Sequence, residues 1–165
     1  MNERMLQPPD ELLAALDKSF QIFLETAHRY PRESVREKPS LTAFSATEIV
    51  YHMLDVERLW QARIRGLIDG SMRHFQQMDP DAVAAERRYN EKDYEAGIAD
   101  LRTARTETEE LVRSMKPSDW RLVGTHSKYG DMDAVAILTT MENHDRTHAA
   151  QLERTLRQIE QRVHI

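Results

Sequence analysis

Two histidines near the end of the sequence have a spacing at which side chains can hold a metal ion. His144 and His148 stand four residues apart in the stretch NHDRTHAAQL, residues 143–152. On a helix, residues i and i+4 lie on the same face with Cβ atoms about 5–6 Å apart, so both imidazole rings can reach one point. Met141 and Leu152 share this face, which places the two rings towards a core. The same spacing is also found within a metalloprotease motif, and between two polar residues that face solvent on a helix.

A third histidine, His52, lies on the apolar stripe of another helical stretch. An inward imidazole that leaves a nitrogen without a hydrogen bond costs on the order of 1–3 kcal/mol. A shared divalent cation would remove that cost, because each ring gives the ion one lone pair and keeps its other N–H for an acceptor. Three protein ligands are also the number found in open, catalytic-type zinc sites. We therefore predict that His52, His144 and His148 bind a divalent metal, with zinc or nickel expected; the alternative is a set of hydrogen-bonded interior histidines.

Other polar residues are weaker candidates. The protease motif HExxH needs a glutamate after its first histidine, but Asp145 stands there and no third ligand follows on the helix, so a protease is disfavoured. Five carboxylates lie within a turn of the three histidines, and the sequence does not say which point inward: Glu48, Asp55, Glu57, Glu142 and Asp145. The catalytic residue is therefore left unknown. His28 and His74 fall in polar contexts and His164 in the tail, so none is predicted as a ligand. The loop residue His126 is expected to face solvent, with a place at the mouth of the site as the alternative.

Four amphipathic stretches must position these histidines. Apolar residues recur at three- and four-residue steps, and this pattern predicts helices over residues 10–30, 45–69, 91–115 and 133–162. Ser45 to Glu48 reads S-x-x-E, the pattern of a capping box, and Gly70 follows the second helix where a C-terminal stop is expected. The stripes predicted to face the core include Ile68 and Val135.

The connections also carry information. Residues 71–90 are longer than a turn between antiparallel helices needs, which suits a crossover along the length of a bundle. Residues 120–130 contain two glycines and several β-forming residues, so we expect a small hairpin or an irregular segment there. Four amphipathic helices can bury their stripes against one another, and the predicted fold is all-α, a four-helix bundle in a single domain spanning residues 1–165.

Composition excludes several classes of function. The chain of 165 residues has no cysteine, which rules out disulfides, thiolate metal ligands and a cysteine nucleophile. Its net charge is −5 with both signs interspersed, which is not the pattern of a nucleic-acid-binding surface. The sequence lacks a long apolar run and a signal-peptide pattern. We expect a cytoplasmic protein that binds neither nucleic acid nor membrane.

Four motifs follow one another along the chain, at residues 44–57, 85–93, 124–130 and 143–152. In this order they resemble the DinB-like superfamily, and the resemblance covers most of the chain. It implies a bundle of up-down-down-up topology, often dimeric, with a divalent metal held by one histidine of the second helix and two of the last. Those positions are His52, His144 and His148. Phe44 stands where many relatives have tryptophan, and Thr147 where many have a further histidine; neither departure is expected to touch a ligand.

The resemblance leaves the reaction open. Some relatives are similar to S-transferases that join a low-molecular-weight thiol, such as bacillithiol or mycothiol, to an electrophile, and others are labelled metal-dependent hydrolases. We predict a metal-dependent thiol transferase that acts on a small-molecule substrate and forms a homodimer. A hydrolase using the same site, with a nearby carboxylate such as Glu48 as base, is the alternative. A third hypothesis is a binding protein without enzymatic activity that the metal, or the buried histidines alone, stabilises.

Overall fold

The computed structural model describes residues 10–163, in which four long helices are joined by short elements. The helices and strands, in chain order, are α1 (Asp10–Arg29), α2 (Ala46–Asp69), β1 (His74–Phe75), α3 (Pro80–Glu86), α4 (Tyr94–Ser114), β2 (Gly124–His126), β3 (Gly130–Met132) and α5 (Ala134–Val163). Short 3-10 turns lie at Arg32–Ser34, Tyr89–Glu91 and Asp119–Arg121. The all-α fold class is confirmed, with the strands a minor addition.

The ends of the long helices follow from local hydrogen bonds that the sequence predicts. At the start of α2 the Ser45 hydroxyl accepts from the Glu48 N–H at 3.1 Å, and Glu48 accepts from the Ser45 N–H at 3.1 Å. This capping box satisfies two backbone donors that a free helix end leaves open. Gly70 ends α2 with φ of 80°, a left-handed conformation that glycine adopts without steric cost. The start of α4 lies three residues later than predicted, because Asp93 caps it through the Ala96 N–H at 2.7 Å.

The first and last long helices run parallel to each other. Ser19 of α1 donates to Asp145 of α5 at 2.7 Å, and seven residues further along α1, Thr26 donates to Glu153 of α5 at 3.3 Å. Both contacts advance in the same direction along the two helices. The most distant parts of the sequence therefore form one side of the bundle.

The two middle helices are also parallel to each other and antiparallel to α1. The Tyr51 hydroxyl of α2 donates to the carbonyl of the α4 cap at 2.7 Å, and Gln61, further along α2, donates to Ala104 O at 2.6 Å. In contrast, Tyr94 at the start of α4 donates to Ala27 O near the end of α1 at 2.7 Å. Together with the parallel α1 and α5, these contacts give the up-down-down-up topology.

Parallel neighbours require a long connection, and the segment between α2 and α4 provides it. Residues 70–93 return along the bundle, as predicted for a crossover, but they include the short helix α3, which was not predicted. Seven residues are too few to show helical periodicity. The local signal was present: Asp79 accepts from the N–H groups of Asp81 and Ala82 at 3.1 and 3.2 Å, and Pro80 occupies the first helical position.

A small three-stranded sheet closes one side of the bundle. Strands β2 and β3 form the antiparallel hairpin that the sequence suggested, and β1 from the crossover pairs with β2 in parallel. Gly124 allows this approach, because a Cβ atom there would lie 2.5 Å from the Phe75 ring. The sheet therefore holds the hairpin, with His126 and Tyr129, against α2.

The buried apolar side chains form two clusters, one towards each end of the bundle. One surrounds Phe23, Ile49 and Leu152, and the other surrounds Leu16 and Ile137, all of which are 0% exposed. Each buried side chain of this size contributes about 1.5–3 kcal/mol to folding. A layer of buried polar residues lies between the two clusters.

Two residues predicted to face the core do not. Ile68 is 37% exposed and Val135 is 41% exposed. Both lie within one turn of a helix end. The apolar pattern of the sequence extends to these positions, beyond the part of the helix that neighbouring elements cover. Among residues 10–163, no helix combines the length and the apolar character needed to cross a bilayer.

Candidate metal centre

The three histidines selected from the sequence lie together in the polar layer. The Nε2 atoms of His52 on α2 and His144 on α5 are 3.0 Å apart. The ring centroid of His148 is 4.7 Å from that of His52 and 4.2 Å from that of His144. One ring nitrogen from each residue can be chosen so that all three lie within 4.8 Å of one another. The structure thus brings the three residues together, and their role as metal ligands stays a prediction.

The distances are compatible with a first-row divalent ion. Zinc binds imidazole nitrogen at about 2.0–2.1 Å, so neighbouring ligand nitrogens lie roughly 2.9–3.4 Å apart in tetrahedral or octahedral geometry. The 3.0 Å separation between His52 and His144 falls in this interval. A set of three histidines without cysteine also matches the nitrogen ligands that zinc, nickel, copper and iron accept.

The three rings are held in the neutral form that a metal requires. Burial, with a smaller contribution from the neighbouring His148 ring, lowers the pKa of His52 to about 3. Burial also lowers the pKa of His144, with repulsion from the other two rings and from Arg105 adding to the effect. The pKa of His148 is lowered by burial as well, although its hydrogen bond to Gln151 opposes the shift. At neutral pH each ring therefore has a nitrogen lone pair.

Hydrogen bonds orient one ring, and packing orients another. His148 Nδ1 lies 2.6 Å from Gln151 Oε1. An amide oxygen only accepts, so Nδ1 carries the proton and Nε2 keeps its lone pair. His52 Nδ1 is buried and has no hydrogen-bond partner among the described residues. Phe44 packs at an angle of 63° to the His52 ring with centroids 6.0 Å apart, so this departure from the family pattern affects the packing beside a candidate ligand.

The nearby carboxylates have other partners. Glu57 and Asp145 are 4% and 1% exposed, and both pair with the Arg105 guanidinium at 2.8 Å. Glu48 accepts within the capping box and lies 3.3 Å from the Lys38 ammonium. The remaining two, Asp55 and Glu142, pair with Arg87 at 3.0 Å and Arg146 at 2.9 Å respectively. None of the five, Glu48 included, lines the cavity at the histidines, and a role for Glu48 as base stays a prediction.

A cavity of about 400 Å³ leads to the three histidines. Its aromatic wall is formed by Phe44, Trp60 and Tyr129, and polar groups are supplied by Arg63 and Gln77. The only acidic residue among its described lining residues is Asp81, which is exposed. Residues from α2, α5, the hairpin and the crossover all contribute, so the small sheet is what encloses the site on one side.

His126 is buried, and the expectation that it faces solvent was wrong. It is 3% exposed, lines the cavity and stacks on Trp60 with ring centroids 6.0 Å apart. Its Nδ1 accepts from the N–H groups of Lys128 and Tyr129 at 3.0 and 3.3 Å. Burial lowers its pKa, and the nearby Arg63 and Lys128 charges lower it further. The neutral ring therefore presents a protonated Nε2, a hydrogen-bond donor.

One residue of the site was not predicted, and two histidines that were not predicted as ligands lie away from the cavity. Arg63 was not singled out, although its place on the stripe of Trp60 and Ile64 could have indicated an inward cation. His28 and His74 are exposed and do not line the cavity. His164 lies outside the described residues.

The protein is a helical bundle in which three neutral histidines meet at a cavity. This arrangement makes it a candidate metalloprotein. The family model described as the DinB superfamily matches residues 9–152, and the chain therefore belongs to the DinB superfamily. No curated protein matches the sequence.

Two solved structures share the fold. One is YfiT from Bacillus subtilis, described as a probable metal-dependent hydrolase with an unusual four-helix bundle topology; its TM-score is 0.78 at 12% identity, covering 97% of this chain and 90% of YfiT. The other is TT2238, described as a four-helix bundle protein, with a TM-score of 0.66 at 19% identity, covering 88% of this chain and 98% of that one. At these identities the likeness establishes the fold.

Proposed function

We propose that His52, His144 and His148 bind a divalent metal, zinc or nickel, and that the protein joins a low-molecular-weight thiol to an electrophilic small molecule. The observation that supports the proposal best is the composition of the cavity at the histidines. It offers three neutral imidazoles with lone pairs, while the carboxylates nearest in sequence are all engaged elsewhere. Such a site suits a nucleophile that needs no protein base.

A bound divalent ion would lower the pKa of a coordinated thiol, so that the thiolate forms near neutral pH. In the transfer, the thiol loses its proton to solvent and its sulfur lone pair forms a C–S bond with the electrophilic carbon. The leaving group departs with the electron pair of the bond that breaks, and nothing is oxidised or reduced. Phe44, Trp60 and Tyr129 would hold the apolar part of the electrophile, and the Nε2–H of His126 would donate to a polar group on it.

Hydrolysis is the second candidate, and one observation favours it. The structural neighbour YfiT is described as a probable metal-dependent hydrolase. Activation of water commonly uses a carboxylate or histidine as general base. Among the described lining residues the only carboxylate is the exposed Asp81, and the neutral His126 ring uses its Nδ1 lone pair to accept backbone N–H groups. Hydrolysis at this site would therefore depend on the metal itself to lower the pKa of bound water, and the assay with and without thiol separates the two candidates.

The first test is metal content and its dependence on the histidines. We expect about one zinc or nickel ion per chain in the purified protein, and loss of that ion in His148→Ala and His52→Ala. His74→Ala changes an exposed histidine outside the cavity and should retain the ion. Elemental analysis with circular dichroism as a folding check makes the measurement. Full metal content in both ligand variants would overturn the metal assignment.

The second test is activity of the metal-loaded protein. A panel of cysteine, glutathione, bacillithiol and mycothiol is incubated with an aryl chloride electrophile, and product is measured with and without chelator. We expect turnover that requires metal and disappears in His148→Ala. Metal-dependent ester or amide hydrolysis without thiol conjugation would favour the hydrolase. Binding of metal with neither activity would favour a non-enzymatic role.

We further propose that the chain is a single domain that forms a homodimer and acts in the cytoplasm, as the sequence and the superfamily resemblance imply. Analytical ultracentrifugation of the metal-loaded protein would measure the assembly. A monomer at micromolar concentration would contradict the dimer.

A further inference from the structure

Arg63 is a buried cation in the wall of the histidine cavity. It lies on α2, is 4% exposed and lines the cavity. Its guanidinium carbon lies 4.3 Å from the centroid of the Trp60 ring and 5.5 Å from that of Phe75. Among the described residues, no carboxylate oxygen lies within 4.0 Å of its guanidinium, whereas the equally buried Arg105 has two carboxylate partners. A buried charge without a partner of opposite sign is unfavourable.

Most of the Arg63 hydrogen-bonding capacity is open. Within residues 10–163 its guanidinium makes one hydrogen bond, from Nη2 to Gln76 O at 2.5 Å. The fully enclosed polar side-chain atoms without a partner are Tyr30 Oη, His52 Nδ1 and Trp120 Nε1, and no nitrogen of Arg63 is among them. Its remaining N–H groups, on Nε, on Nη1 and the second one on Nη2, have no partner among the described residues. Nε and Nη1 are not fully enclosed, and the residue that carries them lines the cavity.

The rest of the cavity does not neutralise this charge. Lys128, an exposed residue that does not line the cavity, is also basic and lies over the Tyr129 ring, at 5.4 Å from its centroid. His126 is neutral, and Asp81 makes no ion pair with Arg63 within 4.0 Å. A cation–π contact is worth about 0.5–1 kcal/mol at an exposed site and about 2 kcal/mol or more when water is excluded, so the Trp60 and Phe75 rings stabilise the cation without neutralising its charge. The cavity wall therefore holds a positive charge with which an anionic group of a ligand can pair.

We propose that Arg63 binds a carboxylate group of the substrate that reaches the histidine cluster. The planar guanidinium presents parallel N–H donors that match the two oxygens of a carboxylate. The inference rests on the proposed function, because the carboxylate is taken to belong to one of the two substrates of that reaction, the thiol or the electrophile. It concerns recognition, and Arg63 takes no part in the transfer of the thiol.

The test compares ligands that differ in charge and have similar size. The zinc-loaded protein is titrated by calorimetry with 3-mercaptopropionate and with its neutral amide. A second arm uses 4-chloro-3-nitrobenzoate and its amide as electrophiles and compares their KM values. In at least one arm, the wild-type protein should favour the carboxylate by about tenfold or more, the effect of one charge-assisted hydrogen-bond pair. The arm that shows the preference identifies which substrate carries the carboxylate.

Three variants separate recognition from support of the cavity wall. Arg63→Gln should abolish the preference while leaving the affinity for the amide and the zinc content unchanged, and Arg63→Lys should retain part of it. Arg65→Gln removes an exposed arginine of the same helix and should behave as wild type. An equal preference for acid and amide in both arms overturns the proposal. Equal weakening of both ligands by Arg63→Gln also overturns it, because that result indicates a structural role; Arg63→Lys supplies the same comparison if the glutamine variant unfolds.

A thioether probe separates this proposal from the thiol transferase. 3-(Methylthio)propionate carries the carboxylate but has no ionisable thiol. If no thiol reacts with an electrophile, yet this compound binds and Arg63→Gln weakens it, the carboxylate site stands and the transferase fails. If thiols bind and react without any preference for the carboxylate, the transferase stands and the carboxylate site fails.

Discussion

Two buried polar clusters lie side by side between the apolar clusters, and they differ in how completely their groups are paired. The Arg105 guanidinium donates to both oxygens of Glu57 and to both oxygens of Asp145 at 2.8–3.0 Å, and also to Leu16 O at 3.2 Å. Ser19 and Thr108 add further donors at 2.7 Å. Every charge in this cluster has a partner within the chain, as a structural network requires.

The histidine cluster is incomplete by comparison. Its members share one contact between ring nitrogens, His148 has Gln151 as a partner, and His52 Nδ1 has no partner among residues 10–163. The cluster borders a cavity, whereas the Arg105 network does not. His144 and Asp145 are consecutive on α5 yet belong to different clusters, because successive helical residues point about 100° apart. A closed network supports the fold, and an open one beside a cavity is suited to a ligand.

Removal of Arg105 should have the largest effect on stability. Arg105→Met leaves the two carboxylates of Glu57 and Asp145 buried without their cation, so we expect the free energy of unfolding to fall by about 3–5 kcal/mol. Arg113→Met removes an exposed arginine of the same helix and should change it by less than about 0.5 kcal/mol. Urea denaturation measures both. A loss below about 1 kcal/mol for Arg105→Met would show that the network does not support the fold.

A smaller effect is expected for Gln151, the hydrogen-bond partner of His148, and it should appear in the affinity for the metal. Gln151→Leu removes the acceptor for the Nδ1–H of His148, and loss of such a partner typically weakens metal affinity about 10–100-fold. Gln158→Leu, at an exposed position of α5, is the control. Competition with a chromophoric chelator measures the affinity. Equal affinities for Gln151→Leu and wild type would mean that packing alone orients the ring.

The smallest effect concerns pH in the metal-free protein. The folded-state pKa of His52 is about 3, below the unfolded value of about 6.5, so between these values the unfolded chain binds one more proton. Its contribution to stability is therefore complete above pH 6.5 and is lost as pH falls, by about 1.4 kcal/mol per pH unit. His52→Gln should reduce the slope of stability against pH between 5 and 6 by this amount. Denaturation in chelator at several pH values makes the comparison, and identical slopes would contradict the low pKa.

The long helices and the candidate ligands could be predicted because their signals are local. A capping box needs four adjacent residues, and an apolar stripe repeats every three to four residues, so both can be read without knowledge of the partner helices. The three histidines lie on two such stripes, and the prediction that they face inward did not depend on how the bundle closes.

The remaining features depend on contacts between distant residues. Arg105 sits beside the predicted stripe of α4, and the sequence cannot show that Glu57 and Asp145 arrive from other helices to pair with it. His126 is buried because β1 of the crossover pairs with the hairpin, a contact between residues about fifty positions apart. Arg63 could have been suspected from its stripe, but its lack of an acidic partner is a property of the folded chain.

The parallel pairing of α1 with α5 also bears on how the protein folds. Ser19 meets Asp145 across 126 positions of sequence, and His52 meets His144 across 92. Folding rates fall as contacts become more distant in sequence, because loop closure costs entropy before the contact forms. The chain should therefore fold more slowly than an up-and-down bundle of equal size. During synthesis α1 cannot pack against α5, and His52 cannot meet His144 and His148, until α5 has left the ribosome, so the candidate metal site can be completed only after residues 144–148 have been made.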